Sequence, residues 1–122
     1  MLRLLMIVSG AFEALFGLSV LIAPNILIET LGSAPDGASV FLARILGAAT
    51  LGLGAAALLA RNELDSKGGL AAAYGLALYN VLAACLILWT AAALGGAALW
   101  GTGLIHTAIG ALFVVALART KG

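Results

Sequence analysis

Five residues able to hold a proton, a charge or a ligand lie inside otherwise apolar runs: Glu13, Arg44, Tyr79, Asn80 and His106. A charged side chain in the middle of a bilayer costs roughly 2.5–3.5 kcal/mol on insertion scales, so it requires a partner or a water-filled space. Two arrangements satisfy that need. Glu13 and Arg44 have opposite charge and can form a buried ion pair that locks two helices together. Alternatively, Glu13 and His106 form a proton, ion or ligand site, with Asn80 and Tyr79 as hydrogen-bonding neighbours. His106 can also be a neutral ring bonded to a carbonyl, Asn80 or Tyr79, and Asn80 can serve as a polar link between helices.

Other chemistries are set aside. One cysteine, Cys85, excludes an internal disulfide and a zinc site built on several cysteines of one chain. With no charged neighbour in sequence, Cys85 reads as a packing residue. His106 is the only histidine, so two-histidine haem ligation would need a second subunit. No phosphate loop, dinucleotide fingerprint, nucleophile triad or metal cluster occurs. No cofactor or metal is expected, and an enzyme is the weakest of the options.

The elements that must position these residues are membrane helices. Of 122 residues, 64% are hydrophobic and 9% charged, whereas a soluble domain carries roughly a quarter charged residues. So small a chain cannot hide that much apolar surface in its own core, and lipid must cover it. The net charge of +1 gives no basic field for nucleic acid. A spanning helix needs about 20 mostly apolar residues. Four segments qualify, at 4–23, 38–60, 70–94 and 97–118, and Gly95-Gly96 divides the last two. The first run is too long for a signal-peptide core and ends at Pro24 without a small-residue cleavage pattern. In the longest linker, residues 25–32 read as a short surface helix. Pro24 starts it, Gly32 stops it, Leu27, Ile28 and Leu31 face lipid, and Glu29 faces water. Asp36 or Ser39 can cap the second span, and Asp65 or Ser66 the third.

The fold class is therefore all-α: one domain, 1–122, a four-helix transmembrane bundle whose short linkers make consecutive spans antiparallel neighbours. Arg3, Arg61, Lys67, Arg119 and Lys121 fall on one side, and the opposite loops carry only Glu29 and Asp36. The positive-inside rule then places both termini in the cytoplasm. Trp89, Trp100 and Tyr74 sit near span ends, as interfacial anchors do. Abundant Gly and Ala allow close helix approach, and small residues repeat at i, i+4 in Gly10/Ala14, Ala43/Gly47, Ala48/Gly52 and Ala71/Gly75.

At ~1.5 Å per residue, Glu13, Asn80 and His106 all lie ~14–15 Å deep, near the midplane. Arg44 is shallower, ~9 Å from the outer side, within reach of Glu13 if its side chain bends inward. Gly10, Glu13 and Gly17 share a helix face, as do Arg44, Gly47, Leu51 and Gly54, and again Gly103, His106 and Gly110.

Two likenesses carry functional expectations. The run Gly17-Leu18-Ser19-Val20-Leu21-Ile22-Ala23-Pro24, then Leu31-Gly32, then Ala43-Arg44-Ile45-Leu46-Gly47-Ala48 resembles the DoxX-like and related small bacterial four-helix membrane proteins. That resemblance covers about the first half of the chain. It implies a four-helix fold and, for function, an accessory role near membrane redox complexes; the expected location is the bacterial inner membrane, crossed several times. Ala11-Phe12-Glu13-Ala14-Leu15-Phe16-Gly17 looks similar to the first helix of small multidrug resistance transporters, which embed a glutamate there. The chain departs from that group in Arg44, in lacking its aromatic motif in helix three, and in its one-sided basic bias.

The expected function is an oligomeric accessory subunit, or one binding a small apolar ligand such as a lipid or quinone. Its partners would be the bilayer and a second copy or a membrane complex. The alternative is a proton-coupled small-molecule transporter or channel using Glu13 and His106.

Overall fold

A computed structural model describes residues 1–120. The chain folds into α1 (Leu2–Ile22), α2 (Pro24–Thr30), α3 (Gly37–Ala60), α4 (Lys67–Leu94) and α5 (Ala97–Arg119). All but α2 are long and apolar enough to cross a membrane. At most 33% of the most apolar window of any of the four is buried. The remainder is apolar surface that the chain does not cover itself, as expected of helices solvated by lipid.

Each boundary has a local cause. Pro24 occupies the first turn of α2, where a missing N–H is harmless. Gly32 ends that helix at φ 77°. Its N–H donates to the Glu29 carbonyl and the Ser33 N–H to the Ile28 carbonyl, the paired bonds of a left-handed glycine cap. The α4–α5 turn is Gly95-Gly96, with φ of 77° and 99°, a conformation that side chains resist. Ser66 caps α4 by accepting from the Gly69 N–H at 2.9 Å. Asp36 caps α3 by accepting from the Ser39 N–H at 2.7 Å, while the Ser39 hydroxyl accepts from the Asp36 N–H at 2.9 Å.

The Ser39 backbone N–H, then the Ser39 side chain, hold the Asp36 carboxyl below the usual carboxylate range. A folded-state value below the unfolded one means the stabilisation is complete above the unfolded pKa of about 3.9 and is lost as pH falls through the folded value. Asp36→Ala is therefore expected to melt at a lower temperature than the wild type at neutral pH, with the two curves converging in strong acid. Curves separated equally at every pH would show that the carboxylate charge contributes nothing.

The bundle consists of two tight helix pairs, α1 with α3 and α4 with α5. Residues that rise along α1 meet residues that fall along α3: Gly10 lies against Ala57 and Gly54, and Gly17 against Leu51 and Gly47. Glycine permits this approach, because a Cβ on Gly17 or Gly54 would run into backbone atoms of the other helix. Ala48, Gly52, Ala71 and Gly75 face outward instead. Their spacing is i, i+4, whereas the glycines of the seam lie seven apart, Gly10 and Gly17 on α1 and Gly47 and Gly54 on α3. Two apolar clusters close the ends. One gathers Met6, Ala57, Leu76 and Phe113 near the termini. The other gathers Val20, Ile28 and Ala43 at the opposite end.

Two expectations about individual residues are corrected by this packing. Ile28 does not face lipid; it is buried beside Val20 and Ala43, and so ties α2 to the bundle. Ile26 is the isoleucine of α2 left exposed. Cys85 is exposed on the outer face of α4 rather than packed.

Candidate functional site

Between the two apolar clusters lies a polar layer. Its buried members are Ser9 and Glu13 on α1, Thr50 on α3, Asn80 on α4 and His106 on α5. Each helix contributes from its inward stripe. On α1 that stripe includes Gly10, Glu13 and Gly17, and on α5 Gly103, His106 and Gly110, the faces read from sequence.

One half of the layer is hydrogen-bonded across helices. Asn80 Nδ2 donates to the Leu76 carbonyl at 2.9 Å and towards Ser9 Oγ at 3.3 Å. A carbonyl only accepts, so the amide nitrogen of Asn80 must face it, and Oδ1 faces His106. The His106 Nδ1–H therefore donates to Asn80 Oδ1 at 2.9 Å. Asn80 thus joins α1, α4 and α5. The His106 ring also meets Tyr79 and Phe12 edge to face, with centroids 5.7 and 6.1 Å apart. Thr50 satisfies its hydroxyl within its own helix, on the Leu46 and Gly47 carbonyls.

Asn80→Ala removes the acceptor of the His106 Nδ1–H and a partner of Ser9. A buried group left unpaired costs about 1–3 kcal/mol. The expected loss in unfolding free energy is of that size, read by denaturant titration in mixed micelles. A loss within error of zero would show that the three-helix link contributes nothing.

Glu13 is the other half of the layer, and it is 0% exposed. Among the described residues neither Oε1 nor Oε2 has a hydrogen-bond partner. The half-buried Tyr79 hydroxyl is close enough to interact with the carboxyl, but not in hydrogen-bond geometry.

The Glu13–Arg44 ion pair is absent. Arg44 is exposed on α3, beside the exposed Phe41, Leu42 and Ile45. The register of the seam explains this. Gly47 lies opposite Leu21, so three residues further Arg44 is level with the end of α1, ~15 Å along the axis from Glu13. The inward stripe of α3 is Ala43, Gly47, Thr50, Gly54 and Ala57, and Arg44 falls beside it. Of the sequence candidates, Glu13, Tyr79, Asn80 and His106 come together, and Arg44 does not.

Ser9 was not among the candidates, although it precedes Glu13 by one helical turn and shares its face. Thr50 was missed because nothing distinguishes it in sequence from the outward-facing Thr90 and Thr107, which also bond their own helices.

Among the described residues no cluster of three or more His, Cys, Asp or Glu is arranged to hold a metal ion. What the layer offers is one carboxyl without a partner, a phenol beside it, and an imidazole held in a fixed tautomer two side chains away. No family model, curated protein or solved structure matches the chain.

Proposed function

We propose that this chain is a multi-pass protein of the bacterial inner membrane, with antiparallel spans and both termini cytoplasmic. It works as a homo-oligomer that couples proton movement at Glu13 to the passage of a small molecule. The observation that carries this reading is the fully buried Glu13 carboxyl with both oxygens unpartnered. A brace pairs the charge it buries, and among the described residues neither carboxyl oxygen has a hydrogen-bond partner and no basic side chain is paired with it. A buried polar group without one is costly to keep, by about 1–3 kcal/mol, and sites of this kind mark ion and proton pathways in membrane helices. Tyr79 supplies a hydroxyl beside the carboxyl, its ring meets the His106 imidazole edge to face, and Asn80 fixes that imidazole.

The test is uptake of small organic cations, the class a carboxylate attracts, into proteoliposomes under an imposed pH gradient. Wild-type uptake should depend on the gradient, and Glu13→Gln should abolish it while the protein stays folded. Unimpaired uptake by Glu13→Gln would remove this reading.

One observation favours the second reading, an accessory or apolar-ligand subunit of a larger assembly. Arg44 is exposed among apolar residues, and Gly52 on the same helix faces open space. A partner helix lying there would give the guanidinium a counter-charge. In that case Arg44→Leu releases the partner and leaves Glu13-dependent uptake intact.

A further inference from the structure

A cleft and a groove on the bundle surface meet at Tyr74. The cleft, of about 670 Å³, lies where α1 begins and α5 ends. Its polar wall is Arg3, Asp65, Arg119 and Thr120. The groove, of about 560 Å³, runs between α4 and α5. Ala77, Leu78 and Val81 form one wall, and Val114 and Leu117 the other. Tyr74 lines both spaces. From Tyr74 to Val81 the groove extends ~10 Å along the helix axis, from the end of the bundle towards the level of Asn80.

The geometry points to a binding site for one anionic phospholipid, with its phosphate in the cleft on Arg3 and Arg119 and an acyl chain in the groove. Charge selects the headgroup. Two arginines and one acidic residue, Asp65, line the cleft, so its lining carries a net positive charge. Planar guanidinium donors match phosphate oxygens, and basic clefts between helices near the membrane surface favour anionic lipid. Shape selects the tail, because the groove is apolar and runs along the bundle axis, as an acyl chain does in a bilayer.

Neither half accepts the simpler occupants equally well. A free anion fills the cleft and leaves the groove uncovered. An apolar helix from a second copy fills the groove and leaves the arginines unanswered. The site requires that the chain lie in a bilayer, and it is independent of Glu13.

The test uses the full chain in detergent, with melting temperature measured after adding phosphatidylglycerol, phosphatidylcholine or inorganic phosphate. Phosphatidylglycerol should raise the melting temperature by several degrees, and the other two should not. The Arg3→Gln/Arg119→Gln variant should lose that rise, each protein being compared with its own melt in phosphatidylcholine. Ala118 also lines the groove on the α5 side, and Ala118→Trp, which fills the groove and leaves the charges in place, should also lose the rise. Arg44→Gln, at the other end of the bundle, should keep it. Native mass spectrometry counts the retained lipid independently: one phosphatidylglycerol on the wild type and none on the double variant.

Equal stabilisation by both lipids would overturn the site, as would a full effect from phosphate alone. Equal loss in Arg44→Gln would reduce it to a general charge effect. A chain that stays monodisperse without detergent would overturn the membrane reading and the site with it.

Discussion

Gly17→Leu and Gly54→Leu are each expected to destabilise the bundle by at least about 3 kcal/mol, the upper end of the cost of overpacking. The reason is what blocks the new side chain. A Cβ on Gly54 would sit 2.5 Å from the Ala14 nitrogen and the Gly10 carbonyl oxygen, and one on Gly17 would sit 2.5 Å from the Gly47 carbonyl oxygen. These are backbone atoms of a helix, so no rotamer change relieves the clash. The helices must separate, and the contacts between α1 and α3 are lost with them. Against a total stability of roughly 5–15 kcal/mol, that loss decides whether the protein folds.

Two other glycines serve as controls. At Gly52 and Gly101, a methyl group added to the Cα would have nothing within 4 Å. Gly52→Ala and Gly101→Ala should therefore be neutral or stabilising by up to about 1 kcal/mol, from helix propensity alone. Denaturant titration followed by circular dichroism separates the two classes. Equal effects at all four positions would refute the seam.

The second large effect is at Glu13, and it has opposite signs in stability and activity. Glu13→Met replaces an unpartnered buried carboxyl with an apolar side chain of similar shape. The expected gain is about 1–3 kcal/mol, the penalty of an unsatisfied buried group. Uptake coupled to a pH gradient is expected to vanish in the same variant. Stability given up at a functional position is a common trade. A structural Glu13 would behave otherwise: its loss would destabilise, and a second change at Arg44 would restore stability. With the two residues ~15 Å apart along the axis, Arg44→Ala should act independently of Glu13→Met. A double-mutant cycle should give a coupling within about 0.5 kcal/mol.

Helix number and type were legible in the sequence because lipid imposes a length and a composition, and the four long helices fall within three residues of the expected limits. The caps and the glycine turn were legible because Asp36, Ser66, Gly32 and Gly95-Gly96 act locally. The inward positions of Glu13, Asn80 and His106 were legible because a polar residue in an apolar helix turns towards other helices.

Register was not legible. It depends on which glycines of α1 meet which glycines of α3, and Gly47 and Gly52 look equally suitable in sequence. Without the register, Arg44 was placed one helix face and several residues too close to Glu13. Ile28 was misread for a related reason. A helix of seven residues has apolar side chains on several sides, and only its docking on α3 shows which one is covered.

In the proposed mechanism Glu13 is an unpaired carboxyl that exchanges its proton with water. Infrared difference spectroscopy of the reconstituted protein, between acidic and alkaline buffer, reads this directly and needs no substrate. The expected result is one protonated-carboxyl C=O band that changes with pH and is missing from Glu13→Gln. Identical difference spectra for the wild type and Glu13→Gln would show that Glu13 exchanges no proton and would overturn the proposed mechanism.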